Sequence, residues 1–174
     1  MSEKLEMIQH RVIKQIAENM KSYGLPETIG LVLGTIYYEE RPMNLDELAE
    51  QTGMSKTRMS QVLREMVHLN IAEKVYIKGT RKDYYTVEKD YYQTFISLST
   101  SNWKEVVSRN TNLENKIIQE VNSILEDENA TAEEKATAKK HLDEAQVILD
   151  YYDWVKRLIE FFESNEVFKY VPKK

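Results

Sequence analysis

Apolar residues recur at two different periods along this chain, and the switch between them marks out the elements. Leu5, Ile8, Val12, Ile16 and Met20 share one helical stripe and predict a first helix over residues 3–22, with His10 and Arg11 off the stripe. That stripe can pack within its own subunit or against a second one. Tyr23, Gly24, Leu25 and Pro26 break the helix, and Pro26 suits a first helical turn. Residues 29–38 are apolar nearly all round and predict a buried helix, where Gly30 and Gly34 share a face and permit close contact. Asn44 and Glu47 have the spacing of a capping box. Leu45, Leu48 and Ala49 follow on one face, and Gly53 ends that helix where a left-handed residue is cheapest. Ser55 caps the next helix, whose buried stripe is Met59, Val62, Leu63, Met66 and Val67.

After Asn70 the period changes to alternation. Residues 74–78 and 83–87 read as two strands joined by Gly79, Thr80, Arg81 and Lys82. Beyond them Tyr91, Tyr92, Phe95, Ile96, Trp103, Val106 and Val107 form an apolar helical seam, which Leu113, Ile117, Val121 and Ile124 continue. The polar residues 108–112 between them are either a break or the solvated stretch of one helix. Asn110 falls on the seam, which favours one long helix, kinked or straight, from about residue 90 to 126. Thr131 and Glu134 form a second capping box. Ala145, Ile148, Tyr152, Val155, Ile159 and Phe162 alternate gaps of three and four, and Leu142, Leu149, Trp154, Leu158 and Phe161 widen that seam. So wide an apolar surface calls for partners on two sides, most economically a second subunit. The tail, with Val167, Phe168, Tyr170 and Val171, is apolar enough to be expected to pack back.

The expected fold is therefore mainly α with a small β-wing: a winged helix-turn-helix plus long helical dimerisation and linker helices. Three parts are expected. Residues 1–24 form an N-terminal helix, 25–88 a winged helix-turn-helix domain, and 89–174 a helical linker with an apolar surface for a second subunit.

Charge sharpens this picture. Residues 54–82 hold seven Lys or Arg against two acids, a local +5 in a chain of net charge −5, which leaves −10 for the rest. A basic stripe on an acidic protein is the footprint of polyanion binding. The polar face of the second capped helix carries Ser55, Lys56, Thr57, Arg58, Ser60, Gln61 and Arg64, side chains that reach bases and phosphates. Lys78, Thr80, Arg81 and Lys82 supply the wing. These eleven residues are the expected contacts to double-stranded DNA. One such helix reads only a few base pairs, so a homodimer on a palindromic operator is expected, with two helices about 34 Å apart. A solvated face beside an ordinary hairpin is the plainer use of the same residues.

Other classes fit less well. The chain has no cysteine, so disulfides and thiolate metal sites are excluded. His10, His68 and His141 lie far apart, and His141 with Glu144 offers only two metal ligands. There is no nucleophile motif and no phosphate loop, so neither an enzyme nor a cofactor is expected. The longest near-apolar stretch, residues 29–38, is too short to span a bilayer, and Glu3, Lys4 and Glu6 leave no apolar signal core. The cytoplasm is the expected compartment, with no membrane partner. A winged helix used as a protein-interaction adaptor is the alternative, but such domains often lose the basic residues that Lys56, Arg58, Arg64, Lys78, Arg81 and Lys82 provide here.

Residues 44–87 resemble the DNA-binding domain of the MarR superfamily of bacterial regulators. Over nearly its full length the chain resembles the GbsR-type branch, which includes choline-responsive repressors of glycine betaine synthesis and uptake. The likeness is carried by Met7, Ile8, Gln9 and His10, by the string Tyr23, Gly24, Leu25, Pro26, Glu27, Thr28, Ile29 and Gly30, by Gly34, and by the aromatic-rich second half. The resemblance implies a dimeric repressor whose first helix, in residues 1–24, joins the dimer interface. It also suggests a small quaternary ammonium effector such as choline, with residues 89–174 as the dimerisation and effector region. Such a cation has no donors and is held on aromatic faces at about 0.5–2 kcal/mol each. Among eleven tyrosines, four phenylalanines and two tryptophans, the expected cage members are Tyr84, Tyr85, Tyr91, Tyr92, Phe95 and Trp103, with Tyr152 and Trp154 in reserve. Core and dimer packing compete for the same rings and are the commoner use of any single one.

Overall fold

The computed structural model describes residues 3–174; Met1 and Ser2, the start of the expected 1–24 segment, lie outside the described residues. The helix α1 (Glu3–Asn19) runs into a 3-10 turn, Met20–Tyr23, closed by Gly24 in the left-handed region. Pro26 then stands just ahead of α2 (Glu27–Glu39), which has no alternative but burial: Ile29, Val32, Leu33 and Ile36 are inside. Gly30 and Gly34 face α1 there.

Next come β1 (Met43–Asn44), α3 (Leu45–Thr52), α4 (Lys56–His68), β2 (Ala72–Val75) and β3 (Tyr84–Val87). The sheet is antiparallel throughout, in the order β1-β3-β2. Two differences from the expected strands appear. The first wing strand covers residues 72–75 rather than 74–78, because α4 ends abruptly. Asn70 adopts a left-handed conformation (φ 55°), and the Ile71 amide bonds back to the Met66 carbonyl at 3.1 Å, which delivers the chain directly into β2. Asparagine tolerates that conformation better than most residues. The second difference is β1, which pattern reading missed: two residues are too few to show a period.

The core behind these elements is Met20, Ile29, Ile36, Met43, Leu48, Met59, Leu63, Met66, Ile71 and their neighbours. Each fully buried side chain of this size contributes about 1.5–3 kcal/mol. Met59, Val62, Leu63 and Met66 are buried as their spacing predicts, but Val67 is exposed and does not belong to the stripe. Leu98 also joins this core. Contacts accordingly place residues 3–99 in one unit and 100–174 in another, so the first unit runs past residue 88 into the next helix.

That helix, α5 (Tyr91–Glu126), is continuous through residues 108–112. Asn110 donates its side-chain amide to the Val106 carbonyl at 2.8 Å, one turn back, so its polar group is satisfied without breaking the helix. In the second unit α6 (Ala132–Glu163) starts at the Thr131–Glu134 capping box. Val107 packs with Val155, Ile159 and Tyr152, and the Glu163 carboxylate takes both the Lys104 ammonium at 2.6 Å and the Thr100 hydroxyl at 3.3 Å. The tail folds as α7 (Val167–Tyr170). The Tyr170 ring meets Phe161 at 5.7 Å between centroids, yet Tyr170 and Val171 stay exposed, so the tail packs back only in part.

Candidate nucleic-acid interface

The helix pair α3–α4 is built from its caps outward. Asn44 accepts from the amides of Asp46 and Glu47 at 2.9 and 3.1 Å, while the Glu47 carboxylate accepts the Asn44 amide at 2.8 Å. The same amide bond holds the Glu47 carboxyl below its usual range, with Arg41 adding to the effect. Gly53 turns the chain at φ 70° with nothing near the position of a missing Cβ, so backbone conformation alone favours glycine there. Ser55 then accepts from the Arg58 amide at 3.2 Å and starts α4.

With Met59, Val62, Leu63 and Met66 anchored inside, the opposite face of α4 is turned to solvent. Ser55, Lys56, Thr57, Arg58, Gln61 and Arg64 are exposed there, and Ser60 is half-buried. Arg58 donates to the Thr28 hydroxyl at 3.2 Å, which leans its guanidinium toward the start of α2. Arg64 bonds the Ser60 carbonyl at 3.4 Å, along its own helix. The wing loop between β2 and β3 carries Lys78, Arg81 and Lys82, all exposed. Thr80 shapes its tip by accepting the Lys82 amide at 3.0 Å.

One carboxylate ties helix and wing together. Asp46, in the first turn of α3, receives Lys56 at 2.6 Å and Lys82 at 2.8 Å. The hydrogen bond from Lys56, then that from Lys82, holds its carboxyl down at about 2. Lys82 is raised in return by the same contact. Sequence reading missed Asp46, because its role depends on two lysines that only the tertiary fold brings to it.

The expected cage aromatics are not gathered in the same way. Tyr84 and Tyr85 are successive on β3 and so point to opposite faces, with Tyr85 packed on the core. The Tyr91 ring lies 5.4 Å from Tyr37, and Phe95 lies 6.5 Å from Tyr23; Tyr37 and Tyr23 are outside the expected set. Tyr92 is exposed, and Trp103 belongs to the second unit, as do the reserve members Tyr152 and Trp154, which both meet Tyr151. A groove of about 590 Å³ in the first unit, lined by Val67, Ala72, Lys74, Thr86, Val87 and Lys89 among others, contains none of them.

Two capped helices at a glycine turn, with a basic outer face on the second and a three-stranded sheet ending in a basic wing, define a winged helix-turn-helix protein. Residues 91–169 match the C-terminal helical hairpin of GbsR family transcriptional regulators. The chain is similar, at 55% identity over 172 residues, to the HTH-type transcriptional repressor OpcR of Bacillus subtilis (strain 168), covering 97% of this chain and 93% of that one. It is 32% identical over 168 residues to the HTH-type transcriptional repressor GbsR of the same organism, with 97% and 93% covered. A crystal structure of a transcriptional regulator shares the fold at a TM-score of 0.53 and 14% identity, covering 87% of this chain and 98% of that one. The chain belongs to the GbsR family of transcriptional regulators. It is a DNA-binding regulator and not an enzyme, and no helix among the described residues is long and apolar enough to cross a membrane.

Proposed function

We propose that this protein is a dimeric repressor that reads a palindromic operator ahead of genes for glycine betaine synthesis or osmoprotectant uptake, and that choline or a related quaternary ammonium compound sets its affinity. The observation that carries the DNA part is the outer face of α4. Ser55, Lys56, Thr57, Arg58, Ser60, Gln61 and Arg64 supply donors and hydroxyls for base edges and phosphates, with Lys56 at the helix start on the phosphate side, and Lys78, Thr80, Arg81 and Lys82 supply phosphate contacts beside them. Repression is supported by two relatives, both HTH-type transcriptional repressors, matched over nearly their whole length.

Dimerisation is supported by apolar faces that the single chain leaves open. On α1 Leu5, Ile8 and Val12 are exposed, and on α6 Val147, Tyr151, Trp154 and Leu158 form an exposed stripe at helical spacing. Surfaces of this kind are covered by a second copy in symmetric regulators. The effector part rests on the likeness to choline-responsive repressors and on the supply of rings: Tyr84, Tyr85, Tyr91, Tyr92, Phe95 and Trp103. Ligand acts by favouring the dimer state in which the two recognition helices no longer match successive major grooves. The regulator works in the cytoplasm, where its operator is.

The test is binding of the purified protein to its own upstream DNA, titrated in salt, with and without choline. Tight binding that exceeds binding to scrambled DNA and weakens steeply with salt is expected. Binding that choline leaves unmoved discards the effector and keeps the repressor. No preference over scrambled DNA moves the weight to a protein-contact role.

A further inference from the structure

Asp46 stands where three elements meet. It lies in the first turn of α3, Lys56 opens α4, and Lys82 belongs to the wing loop. Each lysine takes its own carboxylate oxygen, Lys56 on Oδ1 and Lys82 on Oδ2. The three side chains remain open to solvent, at 41% for Asp46, 73% for Lys56 and 57% for Lys82. Exposed ion pairs are weakly held, so these contacts restrain the lysines without locking them. A DNA phosphate offers the same chemistry as this carboxylate: one negative charge on two oxygens that accept from ammonium groups. The lysines are also two of the candidate phosphate contacts.

We propose that Asp46 is a built-in competitor for the DNA backbone, holding Lys56 and Lys82 off DNA and yielding them to phosphates on binding. This rests on the DNA-reading role of α4 and the wing. Asp46 carries no base recognition itself, so it lowers affinity for every duplex by a similar factor. It also softens the salt dependence. When its lysines leave, the carboxylate takes up a cation from solution, which offsets part of the ion release that drives binding.

The experiment compares wild type with Asp46→Asn on operator and scrambled duplexes across a salt series. Expected is a gain of about three- to tenfold on both duplexes at low salt, with their ratio unchanged and the salt slope steeper. In a K56Q/K82Q background, adding D46N is expected to give little or no gain. A loss of operator binding by D46N with the fold intact, or an unchanged affinity, overturns the proposal; the first result makes Asp46 a clamp that positions the wing. Asp46 also sits favourably at a helix start, so unfolding midpoints are measured alongside. If D46N lowers the midpoint, K82Q alone decides: it must remove part of the gain from D46N in the double variant, and full retention of the gain overturns the proposal. Wild-type protein that prefers no operator fails the DNA-reading role itself, a result separate from any effect of D46N.

Discussion

Gly30 presses on the backbone of Ala17: a Cβ built on Gly30 would stand 2.5 Å from the Ala17 Cα and 2.7 Å from the Ile16 carbonyl oxygen. No backbone atom there can yield cheaply, so α1 and α2 must separate to admit even a methyl group. Gly30→Ala is expected to cost about 3 kcal/mol, the upper range for overpacking. At Gly34 the nearest atom is the Ile13 Cγ2 at 3.1 Å, on a side chain. Gly34→Ala also gains about 1 kcal/mol of helix propensity and is expected to leave stability within about 1 kcal/mol of the parent. Urea unfolding of the two variants measures the contrast.

The two capping boxes make a second comparison. Asn44 is buried and serves two amides of α3, while Thr131 is exposed and starts α6. Asn44→Ala is expected to cost about 2 kcal/mol and Thr131→Ala about 1 kcal/mol, within the measured span for such caps. Equal losses in thermal unfolding would contradict the difference in burial.

Acid should reach the helix–wing bridge late. The Asp46 carboxyl is held at about 2 against an ordinary 3.8, so the folded state favours its ionised form. Its contribution to stability is complete above pH 3.8 and fades as pH falls toward 2. Glu47 is lowered as well, and its contribution is lost on the same side. Carboxyl carbon shifts followed by NMR should show Asp46 titrating below the ordinary carboxylate value, and K56Q/K82Q should return it toward that value.

On DNA, the α4 and wing variants should part company. Arg58→Ala is expected to cost about 1–3 kcal/mol on the operator and to relax sequence preference at the positions it reads. Lys78→Ala should weaken operator and scrambled duplexes alike and lower the salt slope by about one. Reversing charge at both Arg58 and Arg81 should abolish operator binding. Fluorescence anisotropy with both duplexes reads all three outcomes.

The exposed stripe of α6 gives a mass prediction. Tyr151 and Trp154 stack at 6.4 Å with no cover from their own chain sufficient to bury them. Trp154→Asp with Tyr151→Ser is expected to turn a dimer into a monomer by sedimentation, while helix content by circular dichroism stays within about a tenth of the parent's. A parent that sediments as a monomer removes the dimer from the proposed function.

Features set by neighbours in sequence were legible before the fold was known. Asn44 with Glu47, Ser55, Gly53, and Thr131 with Glu134 act within one helical turn, and their spacing carries the physics. The unbroken α5 was legible for a similar reason, since Asn110 stays on the apolar seam. Features that depend on distant partners were not. Val67 continues the period of its helix but is left partly exposed, at the wall of the groove it lines with Ala72, Thr86 and Val87. Asp46 reads as an ordinary first-turn acid until Lys82, remote in sequence, arrives beside it. The aromatic positions were visible as residues, yet Tyr91 finds Tyr37 and Phe95 finds Tyr23, pairings that no local period encodes.

The pairing of Asn44 with Tyr84 spans forty residues. Closing so large a loop costs entropy that the two residues of β1 can repay only when both ends are already in place. The helix pair and the β2–β3 hairpin are local and can form first. The β1–β3 ladder is then expected to form last and to open first, and the cap of α3 is drawn from the same residue. Hydrogen exchange should therefore begin at the β1 edge, ahead of the β2–β3 ladder, and the opening of that edge is where a nascent chain of this protein is most exposed to pairing with another.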